Sequence, residues 1–197
     1  LQRITSERII PITYMNSTAA IKAFTGRNGG AVCTSSNAER ALSWAFAQAE
    51  KILFLPDQHL GRNTAVLKLG LSLSDCVVWN PWKAQGGLTD DEIKNAKVIL
   101  WRGHCSVHGR FSVDNITEIR SRVDGVQVLV HPECQHSVVS AADVVAIVVS
   151  KQFARVVNIS EQKQEHIFVR TEELEQLEQS YLGTITVGDA SQTGYYL

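Results

Sequence analysis

The sequence lacks the features that mark several classes of protein. Its 19 lysine and arginine residues are balanced by 20 aspartate and glutamate residues, so no basic surface for a nucleic-acid backbone is predicted. The longest apolar runs, such as residues 142–150 ("ADVVAIVVS"), are too short to span a bilayer. Neither end has a signal-peptide pattern. We therefore expect a soluble, cytoplasmic protein without nucleic-acid or membrane partners.

Cysteine is scarce, and no two cysteines form a C-x-x-C pair. Wide spacing in a chain without a secretory marker favours reduced thiols or metal ligands over disulfides. The chain contains four cysteines, which are Cys33, Cys76, Cys105 and Cys134.

The sequence is rich in apolar runs that stop at polar residues. Four segments follow this plan, each with a helix-prone stretch after it: "RIIPITYMNS", "KILFLPDQHLGRN", "KVILWRGHCSVHGR" and "VQVLVHPECQHS". Helical spacing is visible at 36–50, with Ser36 or Asn37 as N-cap, and at 88–97, where Thr89 and Glu92 form a capping-box pattern. The rhythm predicts an α/β fold of repeated βαβ units with parallel sheets.

Breaks in this pattern predict the domain organisation. Proline and a glycine pair interrupt it at 80–90, so we predict α/β domains at 1–86 and 87–150. A tail at 151–197 has short strand-like runs and one acidic helix-like stretch at 171–180, without a chemical cluster.

The polar residues at the predicted strand ends are the candidate site, because parallel sheets bind ligands beyond their carboxyl ends. Cys105 and His108 can bind a metal, or the imidazole can hold a substrate carboxylate. The alternative is a packing cysteine beside a loop histidine. Asp57, His59 and Arg62 are expected in a loop, as a polar wall of the same cleft.

A second constellation follows the run "VQVLV". His131 and Glu133 suit proton transfer, and Pro132 is expected to stop the strand and present its neighbours rather than bury them. The alternative is a solvated strand end.

The residues that follow two further predicted strands could bind anions. Tyr14 and Asn16 can orient a carboxylate or phosphate without adding charge. Ser35 precedes a helix whose N–H groups attract anions, although a plain N-cap explains it equally well.

Taken in order, "YMNS", "CTSSNA", "LFLPDQHLGRNTA", "GHCSVHGRF" and "HPECQHSVVSAAD" resemble the quinolinate synthase family over roughly residues 9–145. The resemblance implies three similar α/β domains around a cleft, of which this chain matches two. It implies condensation of iminoaspartate with dihydroxyacetone phosphate to quinolinate in NAD biosynthesis. It also implies a [4Fe-4S] cluster on three cysteines, with one iron open to substrate, and L-aspartate oxidase as a functional partner.

The resemblance assigns roles by position. Cys105 becomes the cluster ligand, and Tyr14, His131 and Glu133 become the catalytic residues. The implied substrate-binding residues are Tyr14, Met15, Asn16, Ser35, His108, His131, Pro132 and Glu133.

The sequence departs from the family pattern at both ends. A first domain has no counterpart before Leu1, and no cysteine follows Cys134. We therefore expect that this chain by itself makes no quinolinate. Two other readings remain: a zinc-dependent hydrolase or lyase using Cys105, His108, His131 and Glu133, and a catalytically dead module that binds dicarboxylates.

Overall fold

The structure is a computed structural model that describes residues 1, 3–146, 155–160, 163–166 and 186–187. The chain divides into two compact units, Leu1–Cys105 and Ser106–Leu197. Parallel strands alternate with helices, which confirms the predicted α/β class. The domain boundaries proposed at residues 86 and 150 stay a prediction. The acidic helix predicted at 171–180 lies outside the described residues.

A five-stranded parallel sheet forms the centre of the first unit, in the order β2-β1-β3-β5-β4. Alternate residues of its strands face opposite sides. Phe54 and Leu100 join one core cluster, whereas Leu53 and Ile99 join another. Apolar runs without polar alternation are what a sheet buried on both faces requires. The strands are β1 (Ile9–Tyr14), β2 (Ala31–Cys33), β3 (Lys51–Leu55), β4 (Cys76–Trp79) and β5 (Val98–Trp101).

Helices connect these strands: α1 (Ala19–Arg27), α2 (Ala38–Phe46), α3 (Gln58–Asn63) and α4 (Asp90–Asn95). The predicted capping box of α4 is confirmed, since the Thr89 hydroxyl accepts from the Glu92 N–H and the Glu92 carboxylate accepts from the Thr89 N–H. Helix α2 is shorter than the predicted 36–50. Asn37 takes its N-cap position, but the side-chain oxygen accepts from the Thr34 N–H instead of capping the helix.

Shorter elements make up the second unit. Helix α5 (Val113–Arg122) precedes β6 (Leu129–Val130), and α6 (His136–Ala141) connects β6 to β7 (Val144–Val145), its parallel neighbour. Valines of β6 and α6 pack on isoleucines of α5 in a core of their own. Three further strands form an antiparallel sheet, namely β8 (Arg155–Ser160), β9 (Lys163–His166) and β10 (Thr186–Val187). Among the described residues, no helix has the length and apolar character needed to cross a membrane.

Candidate functional site

Two predicted substrate-binding segments lie side by side at the carboxyl edge of the first sheet. Tyr14 closes β1 as a buried residue and lies opposite Cys33 in the parallel register. The next residue, Met15, is half-exposed and donates its N–H to the Cys33 carbonyl at 2.7 Å. The register therefore brings the Tyr14 tip beside the turn that follows β2.

That turn contains Ser35, which is partly buried, while Asn16 after β1 is exposed. The alternative of Ser35 as a plain N-cap is wrong, because Asn37 takes that position. Since the Asn37 side chain is bonded elsewhere, it does not satisfy the first N–H groups of α2. The start of a helix can attract an anion, and anion binding beside Ser35 stays a prediction.

The β3 tip differs from the sequence prediction. Asp57, His59 and Arg62 were expected in a loop, but His59 and Arg62 lie on α3 and Asp57 is its N-cap. Asp57 is buried, and its Oδ1 accepts the N–H groups of His59 and Leu60 at 2.8 and 2.9 Å. The expectation of a loop is therefore wrong, whereas a polar wall formed by these residues stays a prediction.

His59 lies at the same edge of the sheet, on α3. Its ring lies edge-on to that of His104, with centroids 6.2 Å apart. Burial, followed by the nearby charges of Arg62 and His104, lowers the pKa of His59 to about 4. The imidazole is therefore neutral near pH 7.

The cysteines differ in their suitability as metal ligands. Burial raises the thiol pKa of Cys33 to about 12 and that of Cys76 to about 11, and Cys134 is fully buried in the core of the second unit. These three are packing thiols. Cys105 is partly exposed on the loop after β5. Cys105 therefore fits one thiolate position of an iron–sulfur cluster, and the chain's other cysteines do not fit such positions.

Three ionisable side chains are buried together in the second unit. His108, His131 and Glu133 are 6%, 7% and 3% exposed. The imidazole rings of His108 and His131 stack with centroids 4.5 Å apart, and His108 Nδ1 lies 3.0 Å from Glu133 Oε2. Despite that proximity, neither ring nitrogen of His108 makes a hydrogen bond within the part of the chain that the structure describes.

The protonation of His131 follows from its surroundings. The Glu133 N–H donates to His131 Nδ1 at 3.3 Å, so a neutral ring carries its proton on Nε2. Burial and the neighbouring His108 lower the pKa of His131 to about 4, although Glu133 acts in the opposite direction. His131 is therefore a neutral hydrogen-bond donor rather than a cation near pH 7.

The His131–Cys134 turn corrects one prediction and supports another. The strand ends before Pro132, as predicted, and the Cys134 N–H closes the turn on the His131 carbonyl at 3.0 Å. However, His131 and Glu133 are buried rather than presented to solvent, because the turn folds them inward. The solvated-strand-end alternative is therefore wrong.

The alternative for Cys105 and His108 was a buried packing cysteine beside a loop histidine. The structure shows the opposite, since Cys105 is partly exposed and His108 is buried. Sequence reasoning missed the supporting role of Asp57. The signal that could have found it is an N-cap residue type directly before a helical stretch. The predicted convergence of Cys105 and His131 on one cleft stays a prediction, since they belong to different units.

Comparison with known proteins agrees with these motifs. A family model described as "Quinolinate synthetase A protein" matches residues 2–190. Proteins named quinolinate synthase are 67% identical over 140 residues in Streptomyces coelicolor and 64% over 146 residues in a Nocardioides species, each match covering 71% of this chain. The Bacillus subtilis protein of that name is 56% identical over 147 residues, or 73% of the chain.

The matches cover 36 to 38% of the length of these relatives, so the chain corresponds to a little over a third of each. The family match, by contrast, extends over nearly the whole chain. On both grounds, the chain belongs to the quinolinate synthetase A family.

Proposed function

We propose that this chain supplies part of the catalytic site of a quinolinate synthase, which condenses iminoaspartate with dihydroxyacetone phosphate. The burial of His108, His131 and Glu133 together carries the proposal. Burying two imidazoles and a carboxylate costs free energy that a core of valines and isoleucines would avoid. Their retention is understandable if a polar ligand completes the unused hydrogen bonds of His108.

The second unit would bind and protonate the substrate. His131 Nε2–H and the His108 ring can donate to the carboxylates of iminoaspartate, with Pro132 shaping the turn between His131 and Glu133. Glu133 is the candidate proton carrier, because a neutral imidazole with a pKa of about 4 is a weak base near pH 7.

The first unit would hold the metal and the remaining substrate groups. Tyr14 is the candidate proton donor of this edge. Met15, Asn16 and Ser35 would contact substrate, with the phosphate favoured at the start of α2. Cys105 would hold one iron of a [4Fe-4S] cluster, which supplies a Lewis acid when bound. Only one cysteine of this chain, Cys105, fits such a position.

The wider setting follows from the same proposal. Iminoaspartate is an oxidation product of aspartate, so L-aspartate oxidase would be the functional partner that supplies it. The pathway is NAD biosynthesis, and the proposed location is the cytoplasm.

The test places this chain in the context of a complete relative. In full-length Streptomyces coelicolor quinolinate synthase, the segment that matches this chain is replaced by the chain's own residues. The chimera is purified anaerobically and assayed for quinolinate from iminoaspartate and dihydroxyacetone phosphate. We expect iron, acid-labile sulfide and turnover close to those of the parent, and none of the three from the chain expressed alone.

Other outcomes are equally informative. Stoichiometric zinc without sulfide in the chimera would favour a zinc hydrolase or lyase. Colourless chimera that still binds a dicarboxylate would favour a binding module. Either result would overturn the proposal.

A further inference from the structure

The loops that follow β3 and β5 are fastened to each other in the first unit. The Gln58 N–H donates to the Gly103 carbonyl at 2.9 Å, and the Cys105 N–H donates to Asp57 Oδ2 at 2.9 Å. A Cβ added at Gly103 would lie 2.3 Å from the Pro56 carbonyl oxygen, so only glycine permits this approach. The two loops are therefore held at a fixed distance, although 48 residues separate Asp57 from Cys105.

Asp57 uses its two carboxylate oxygens for different tasks. Oδ1 accepts from the N–H groups at the start of α3, and Oδ2 accepts from Cys105. The helix itself is tightly seated, because a Cβ at Gly61 would lie 2.7 Å from side chains of Phe54 and Leu100. A carboxylate fixed to a seated helix is a rigid point to which a loop can be attached.

Beyond the hydrogen bond between Gln58 and Gly103, the residues next to Cys105 are exposed. They are His104 on one side, and Ser106 and Val107 on the other. The hydrogen bond from the Cys105 N–H to Asp57 thus restrains the Cys105 backbone, and with it the direction of the Cα–Cβ bond. Ligand side chains bind metals well when supporting hydrogen bonds hold them in place before the metal arrives.

We propose that Asp57 is a positioning residue for Cys105, holding its backbone so that the thiol is presented for metal binding. The metal-binding part rests on the proposed function, in which Cys105 is a cluster ligand. The fastening of Cys105 by Asp57 does not.

Asp57→Asn separates the two tasks of the carboxylate. The amide oxygen can still cap α3, since asparagine is as good an N-cap as aspartate. The amide nitrogen, however, is a donor and cannot accept the Cys105 N–H. The matched control is Asp75→Asn, because Asp75 Oδ2 also accepts a backbone N–H at 2.8 Å, from Ser72, at a site remote in sequence from Cys105.

Two measurements on the 197-residue chain report on Cys105 without any assay of activity. Amide hydrogen exchange at Cys105 should become about tenfold faster or more in Asp57→Asn, because a hydrogen bond to a charged acceptor is lost. Alkylation of Cys105 by iodoacetamide, followed by peptide mass spectrometry, should become several-fold faster. Cys33, Cys76 and Cys134 serve as buried internal controls.

The same variants keep the result interpretable. In Asp57→Asn, exchange at Leu60 should stay within about twofold of the parent chain, since its cap is retained. Asp57→Ser, which keeps a single capping oxygen, gives a second route if the first variant folds poorly. Unchanged exchange and alkylation at Cys105 in a folded variant would overturn the positioning role.

The final comparison uses the chimeric enzyme described above. Asp57→Asn should lower its iron and sulfide content several-fold, while Asp75→Asn leaves both unchanged. If the chimera makes quinolinate and Asp57→Asn retains a full cluster, the positioning role fails and the proposed function stands. If the chimera takes up no iron but Asp57→Asn still frees Cys105, the proposed function fails and the fastening stands.

Discussion

The two units hold their candidate functional groups by different means. In the first unit, the backbone of Cys105 is fastened from outside, by a buried carboxylate that also caps a helix. In the second unit, His108, His131 and Glu133 are themselves buried. A substitution in the first unit can therefore remove the supporting carboxylate and leave the Cys105 thiol intact. In the second unit, a substitution of any of the three buried residues changes a functional group and a buried side chain at once.

The hydrogen bonding of buried polar side chains also differs between the two units. Lys51 of the first unit is 3% exposed, and its ammonium group reaches the Lys94 and Ala96 carbonyls and the Glu7 carboxylate. Its donors are all used. His108 of the second unit is buried to a similar degree, but its ring nitrogens make no hydrogen bond to any described residue. Complete partnering is typical of a structural charge, and the proposed binding of a polar ligand would explain the incomplete partnering of the His108 ring.

The largest expected effect separates metal binding from substrate chemistry. In the chimeric enzyme, Glu133→Gln should reduce kcat by about 10²–10⁴, the usual contribution of a general acid or base, and leave the visible absorbance of the cluster intact. Cys105→Ser should instead bleach the cluster. Bleached Glu133→Gln protein with a normal circular dichroism spectrum would mean that Glu133 supports the metal. The assignment of Cys105 to the metal and of Glu133 to substrate chemistry would then be wrong.

The positions of β1, β3, β5 and β6 could be predicted from the sequence, because each belongs to an apolar run that ends at polar residues. "KILFL" became β3 without change, and the Thr89–Glu92 pattern correctly placed the start of α4. The sheet order could not be predicted, since pairing β5 between β3 and β4 depends on contacts far apart in sequence.

Burial at the candidate site was the harder part. A histidine three residues after a loop cysteine is expected to be exposed. His108 is instead buried, stacked on His131 and close to Glu133, and neither contact is visible in the local sequence. Asp57 looked like a loop acid because its partner Cys105 is distant in sequence. Local patterns can identify which residues carry chemistry, but not which distant backbone they serve.

The complete partnering of the buried Lys51 ammonium group gives a second prediction. Lys51→Met should lower the free energy of unfolding by about 4 kcal/mol, because it leaves two carbonyls at the end of α4 without their partner. Tryptophan fluorescence in a urea titration measures this well, since Trp44, Trp79, Trp82 and Trp101 all belong to the first unit.

Lys97→Met is the control for this variant. Lys97 is about half exposed and pairs with Asp75 at 3.2 Å, so its loss should change stability by less than about 1 kcal/mol. Equal effects of the two substitutions would contradict the reading of Lys51 as a fully partnered structural charge.

A third prediction concerns pH and involves one histidine from each unit. His59 and His131 have a pKa of about 4 in the folded chain against an ordinary value of 6.5, chiefly through burial. Their unfolded forms bind protons first as the pH falls, so their contribution is fully present above pH 6.5 and is lost between pH 6.5 and about 4. With about 1.36 kcal/mol for each pKa unit, His131 accounts for at most about 3 kcal/mol.

The measurement is the urea midpoint of unfolding at pH values between 4 and 7.5. Tryptophan fluorescence reports on the first unit, and amide exchange of α5 reports on the second. His131→Gln should flatten the pH dependence of the stability of the second unit. His59→Gln should do the same for the first unit, by a smaller amount because His59 is less buried. A His131→Gln profile as steep as the parent's would show that His131 is not the group that titrates.

The smallest expected effect compares two helix starts that look alike in sequence. Thr89 of the first unit both caps α4 and is capped by Glu92. Ser112 of the second unit donates both its N–H and its hydroxyl to Asn115 Oδ1, at 2.9 and 3.2 Å, so that its hydroxyl is engaged by a side chain. Thr89→Ala should therefore destabilise its unit by about 1 kcal/mol, and Ser112→Ala by only a few tenths. Amide exchange at Glu92 and Asn115 checks this helix by helix, and an equal loss at both would mean that the Ser112 hydroxyl caps α5 in solution.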